Sequence, residues 1–170
     1  MRRFILIGFA CAALVVAGCG DDDSSNDSAG STDSAAAEAP ESSDDASSRS
    51  KPKVTVPGGA PPKQLEVTDL IEGTGAEAKS GDEVTVQYVG VGYKSGEEFD
   101  SSWSRSEPFP LTLGAGSVIP GWEQGIEGMK VGGQRQLVIP PELAYGEAGA
   151  PPAIGPNETL VFVIDLLEVG

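Results

Sequence analysis

A helical signal only about two turns long, opening at Ile119-Pro120-Gly121-Trp122, has to be accommodated by whatever fold this chain adopts. Proline suits a first helical turn, where its missing N–H costs nothing. From Trp122 the apolar positions Ile126 and Met129 recur at helical spacing and place the indole on an inward face. A helix this short is not stable alone, so neighbouring segments must wrap it. It ends a stretch, residues 99–122, that holds Phe99, Trp103, Phe109 and Trp122, four of the ten Phe, Trp and Tyr residues in the chain.

The segments around it read as strands. Residues 64–71 form a plausible first strand, and residues 84–91, rich in β-branched side chains and carrying Tyr88, a second. Lys94-Ser95-Gly96-Glu97 reads as a hairpin turn into Glu98-Phe99-Asp100. In residues 109–113, Phe109, Leu111 and Leu113 share one face at period two. Residues 134–139 are a strand stopped by Pro140-Pro141, residues 141–145 allow one helical turn, and 146–156 are a Gly/Pro/Ala loop. Residues 159–169 are the longest apolar run and predict a central strand. Several short strands with one late helix predict an α+β fold, an antiparallel sheet curled as a half-barrel over a short helix.

The globular part spans 63–170, about 108 residues, enough for one modest core. Upstream, residues 1–18 have a basic start, an apolar run and small residues before Cys19, the pattern of a secretory signal. The run falls short of the about 20 residues of a membrane span. Val16-Ala17-Gly18-Cys19 resembles a bacterial lipobox, which implies cleavage before Cys19 and lipid on that residue. Residues 19–62 then form an acidic Ser/Asp/Ala tether, stiffened at its end by Pro52, Pro57, Pro61 and Pro62. The expected location is the outer side of the cytoplasmic membrane, in the cell envelope, with the protein held there by its lipid.

Composition excludes several chemistries. The chain has no His, so Ser-His and Cys-His nucleophiles and His-based metal sites are ruled out. Of its two Cys, Cys11 lies in the signal and Cys19 is the lipidation candidate, leaving no disulfide. A formal net charge of −15 argues against a nucleic-acid partner. Gly114-Ala115-Gly116 does not have phosphate-loop spacing. No cofactor and no metal are expected.

Taken singly, the aromatic residues are core candidates, Asp100 a turn residue and Arg105 a loop charge. Taken together they match a pattern. Val86-Gln87-Tyr88-Val89-Gly90, Gly96-Glu97-Glu98-Phe99-Asp100-Ser101-Ser102, Pro108-Phe109, Val118-Ile119-Pro120-Gly121-Trp122, Pro140-Pro141-Glu142-Leu143-Ala144-Tyr145-Gly146 and Leu160-Val161-Phe162 resemble the FKBP-type peptidyl-prolyl cis-trans isomerases, in the family's order and spacing. The resemblance covers 63–170 and not the tether.

The resemblance implies a half-barrel on the Trp122 helix and an apolar pocket lined by Tyr88, Phe99, Phe109, Val118, Ile119, Trp122 and Phe162, with Trp122 as floor. Asp100, Tyr145 and the Ile119 N–H would supply polar contacts at the rim. Ile154 would overhang the pocket, and Arg105 would support Asp100 and Tyr88. Trp103, Ala150, Ala153 and Gly155 depart from better-known members, which bears on loop contacts more than on the pocket. The implied activity is isomerisation of Xaa-Pro bonds in exported proteins, with no covalent chemistry. The implied partners are proline-containing polypeptides and the family's macrolide inhibitors, and a monomer is the default. The alternative is a module that binds proline segments, or a chaperone, with little turnover.

Overall fold

The structure, a computed structural model, describes residues 46–170. The signal at 1–18, Cys19 and the tether as far as residue 45 lie outside the described residues. Six antiparallel strands form one sheet: β1 (Glu66–Ile71), β2 (Glu83–Gly92), β3 (Glu98–Ser101), β4 (Phe109–Thr112), β5 (Gln134–Ile139) and β6 (Leu160–Val169). Their spatial order is β1-β5-β6-β2-β3, with β4 also on β2. Strand β6 is central, as its unbroken apolar run predicts.

Strand β2 organises the site edge. Along one side it pairs with β6 from Val84 to Gly92. Along the other it pairs with β4 at residues 83–86 and with β3 at residues 89–91. The gap between these partners is filled by a one-turn helix, α1 (Ser102–Arg105), that the sequence reading did not assign to any element. There the Tyr88 N–H donates to Ser102 Oγ at 2.8 Å, so a buried hydroxyl stands in for the missing strand carbonyl. Ser106 closes α1 in the left-handed region, at φ 54°.

The second helix, α2 (Pro120–Ile126), lies against β5 on the inner face of the sheet. It stops at Ile126, and Met129 reaches the core from the turn that follows rather than from the helix. Glycines let it approach: a Cβ on Gly121 would lie 2.3 Å from Ile139, and one on Gly125 would lie 2.4 Å from Leu137. Alternation along β6 sends Leu160, Phe162, Ile164 and Leu166 into the main core with Trp122, Ile126, Leu137 and Ile139. A smaller apolar cluster of Val89, Val91, Tyr93, Val138 and Val161 occupies the opposite face.

That outer cluster alters the reading of the tether. Residues 46–56, which composition assigns to the spacer, run across the outer face as a strap. Val54, Val56 and also Trp103 pack on the outer cluster. Arg49 donates to Asp165 at 2.8 Å and to the Gly132 carbonyl at 2.6 Å. Polar composition conceals this segment because its anchors are two basic side chains, Arg49 and Lys51, and two valines, too few to register in a Ser/Asp-rich average.

Candidate active site

The concave face of the sheet, the end of α2 and the loops around it enclose a cavity of about 610 Å³. Tyr88, Phe99, Asp100, Arg105, Phe109, Val118, Ile119, Trp122, Tyr145 and Phe162 line it, so ten of the sequence-derived candidates converge on one place. Gly116 and Ser117 line it as well. Neither was singled out from sequence; their proximity to Val118-Ile119 in the β4–α2 connection was the available signal.

Ile154 is a correction. It does not line the cavity but is buried in the main core, 4% exposed. Reciprocal backbone hydrogen bonds between Ala150 and Ile154, both 3.0 Å, pin the loop into a tight turn that tucks this side chain under the sheet.

The floor is aromatic and orthogonal. The Trp122 ring meets Tyr88 at 4.9 Å between centroids, Phe162 at 5.3 Å and Phe109 at 6.1 Å, all edge to face. Phe99 meets Phe162 in the same way at 5.5 Å. Such pairs add about 0.5–1.5 kcal/mol each beyond area burial and fix ring orientation. Buried Trp122 Nε1 has no acceptor among the described residues. Gly90 makes room for the wall: a Cβ there would lie 2.6 Å from Phe162 and 2.7 Å from Phe99.

The polar edge is one connected network. The Tyr88 hydroxyl donates to Asp100 Oδ2 at 2.5 Å and accepts from Arg105 Nη2 at 2.6 Å. Arg105 Nη1 ion-pairs with Asp100 Oδ1, which also accepts the Ser101 N–H at 2.8 Å. The guanidinium sits 5.5 Å over the Tyr88 ring. Partial burial by itself would raise the Asp100 carboxyl, but hydrogen bonds from Tyr88 and Arg105, the Arg105 charge and the Ser101 N–H outweigh it and hold it below the ordinary value. Desolvation, reinforced by the hydrogen bond to Asp100, pushes the Tyr88 hydroxyl up. Hydrogen bonds to Tyr88 and Asp100 raise Arg105 in turn. Asp100 is therefore an ionised acceptor with its oxygens already engaged, and unsuited to abstract a proton.

Two donors face the cavity from other elements. Ile119 is the N-cap of α2, and its N–H has no acceptor among the described residues. Tyr145 follows the 3₁₀ turn Pro141–Leu143 and stands at the mouth, 42% exposed.

A family model described as FKBP-type peptidyl-prolyl cis-trans isomerase matches residues 75–167. The FK506-binding protein of Streptomyces anulatus is 54% identical over 123 residues, 72% of this chain and 99% of that protein. The probable FK506-binding protein of Corynebacterium glutamicum is 52% identical over 120 residues, 69% of this chain and 98% of that protein. The crystal structure of AtFKBP13 superposes with a TM-score of 0.59 at 39% identity, over 62% of this chain and 93% of that one. The family match covers more than half of the chain, and the described fold agrees with it: the chain belongs to the FKBP-type peptidyl-prolyl cis-trans isomerases.

Proposed function

We propose that the cavity over Trp122 catalyses cis–trans exchange of Xaa-Pro bonds in exported polypeptides. The observation that carries this is the pairing of an aromatic floor with a polar edge already charge-balanced: Trp122, Tyr88, Phe109 and Phe162 below, Asp100 with Arg105 beside.

Rotation about a peptide bond costs about 18–20 kcal/mol because amide resonance is lost. The planar amide is the more charge-separated form, so water favours it over the twisted one. A pocket walled by Phe99, Phe109, Trp122 and Phe162 removes that water and binds the twisted form better than the planar one. The Ile119 N–H and the Tyr145 O–H hold the flanking carbonyls in the twisted geometry. Asp100, fixed by Tyr88, Ser101 and Arg105, keeps the Tyr88 ring edge oriented and presents a fixed negative charge beside the substrate carbonyl. Val118 and Phe162 complete the apolar contacts to the proline ring.

The relatives named FK506-binding proteins support a macrolide occupying the same cavity. The test is catalysed exchange of an Xaa-Pro peptide, with and without FK506. Acceleration abolished by the macrolide is expected. Macrolide binding without acceleration would assign the cavity to proline-segment binding alone.

The signal at 1–18 and Cys19 support lipid anchoring on the outer side of the cytoplasmic membrane, with the acidic run after Cys19 as spacer. Cys19→Ser should move the protein from the membrane to the soluble fraction; unchanged membrane retention would refute the anchor.

A further inference from the structure

Residues 46–56 hold onto the back of the active-site edge at three points. Arg49 is the first. Its partner, Asp165, sits mid-strand in β6 with its side chain 0% exposed, and also accepts from Gln134 Nε2 at 3.0 Å. A carboxylate that deep is stable only with its cation in place, so Arg49 nails the strap to the central strand. The second point is apolar: Val54 and Val56 share the outer cluster with Trp103 of α1. The third is Glu98, which accepts from Lys51 Nζ at 2.7 Å and from Ser104 of α1 at 3.3 Å through the same oxygen. Glu98 immediately precedes Phe99 and Asp100 in β3, and Trp103 and Ser104 immediately precede Arg105. β3 is a short edge strand with a register irregularity, and α1 is a single turn. Neither has much structure of its own to fix its place.

We propose that residues 46–56 are a working part of the isomerase, a brace that positions Phe99, Asp100 and Arg105 from the opposite face of the sheet. Lys51, Val54 and Val56 are positioning residues, acting through Glu98 and through the shared floor under Trp103. On this reading residues 46–56 work with the globular part rather than with the spacer. The match to the Streptomyces anulatus protein fits this: 72% of the chain is longer than segment 63–170, so the similarity extends upstream of residue 63. The proposal rests on the site assignment above, and the test separates the two.

The full chain is purified in detergent, and kcat/KM for an Xaa-Pro peptide is measured against pH for the parent, Val54→Ser/Val56→Ser, Lys51→Met and Asp100→Leu. Small displacements of positioned groups are costly, so the valine double variant is expected to lose about tenfold in kcat/KM and Lys51→Met about twofold, with unchanged far-UV circular dichroism. In the valine variant the acid limb of the pH profile should also move up, toward the ordinary carboxyl value, as Arg105 and Tyr88 loosen around Asp100; a merely stabilising strap would not move it. A folded valine variant with parental kcat/KM and an unmoved acid limb overturns the brace. Should that variant unfold, Val54→Ala is read in the same way, with the same overturning result. If Asp100→Leu keeps full activity, the site assignment has failed; if it loses activity while the strap variants keep theirs, only the brace has failed.

Discussion

The hydroxyl of Tyr88, on β2, donates to the carboxylate of Asp100, on β3, at 2.5 Å, and both are gripped by Arg105 from α1. The contact joins the aromatic floor to the polar edge, because the Tyr88 ring also stands edge-on to Trp122. A change at Asp100 is thereby transmitted to the pocket floor through the buried Tyr88 ring.

Asp100→Leu leaves the Tyr88 hydroxyl and the Arg105 guanidinium without their acceptor. The Arg105 guanidinium is nearly half exposed and keeps access to water, and it still donates to the hydroxyl of buried Tyr88. Activity should fall by about tenfold or more, ~1.4 kcal/mol of transition-state stabilisation, while the thermal midpoint shifts little. Kinetics and a melting curve on the same preparation decide it; parental kinetics remove Asp100 from the site.

Trp122 is buried and makes three edge-to-face contacts, yet its Nε1–H has no acceptor among the described residues. Its contribution is shape and apolar area rather than a hydrogen bond. Trp122→Phe should cost under about 1.5 kcal/mol, whereas Trp122→Ala should cost about 3–5 kcal/mol by opening a cavity. Chemical denaturation measures both. Equal losses would mean that the indole nitrogen carries a role not assigned to it.

Gly90→Ala tests the wall. The added methyl falls 2.6 Å from Phe162 and 2.7 Å from Phe99, so both rings must shift. A stability loss of about 1–3 kcal/mol is expected, with a larger proportional loss of peptide isomerisation, because the displaced rings line the cavity. Activity that merely tracks the folded fraction would contradict the placement of those rings.

Much of this was legible in the sequence, and the reasons differ by element. β6 and β2 were readable because uninterrupted β-branched runs have few alternatives. α2 was readable from Pro120 and the spacing of Trp122 and Ile126. The pocket set emerged from the order of the motifs, not from any single residue. α1 was not legible: one turn gives no periodicity, and its reason for existing is the gap between β4 and β3 that Ser102 fills. Ile154 was misplaced because its orientation depends on the Ala150 bridge rather than on its own surroundings in sequence. The strap was hidden for a similar reason, since the partner that orders Arg49 is Asp165, 116 positions away.

The titrations of the network set a pH window. Asp100 lies below its ordinary 3.8. Its pairing therefore stabilises the fold above that value, and the contribution is lost as pH falls through the depressed one. Tyr88 lies above its ordinary 10.0, so its contribution is complete below that and is lost as pH rises through the elevated value. With no His in the chain, kcat/KM should be flat across about pH 5 to 9 and decline only as pH falls below 3.8 or rises above 10.0. A midpoint near neutrality in the pH profile would show that another group governs activity.

Tyr145→Phe removes a hydroxyl at the cavity mouth and no core contact of the ring. Isomerisation should fall by about threefold to tenfold, with stability changed by under about 0.5 kcal/mol. Kinetics at the parental level would leave the Ile119 N–H as the sole donor of the account.

The most direct measurement is exchange spectroscopy on an Xaa-Pro peptide with a catalytic amount of the full chain, beside the same amount of Asp100→Leu. The account predicts cis–trans cross-peaks that the parent generates on a timescale far shorter than the tens of seconds of the free peptide, and a rate lower by about tenfold or more for the variant. A folded parent that leaves the exchange rate of the free peptide unchanged would contradict it.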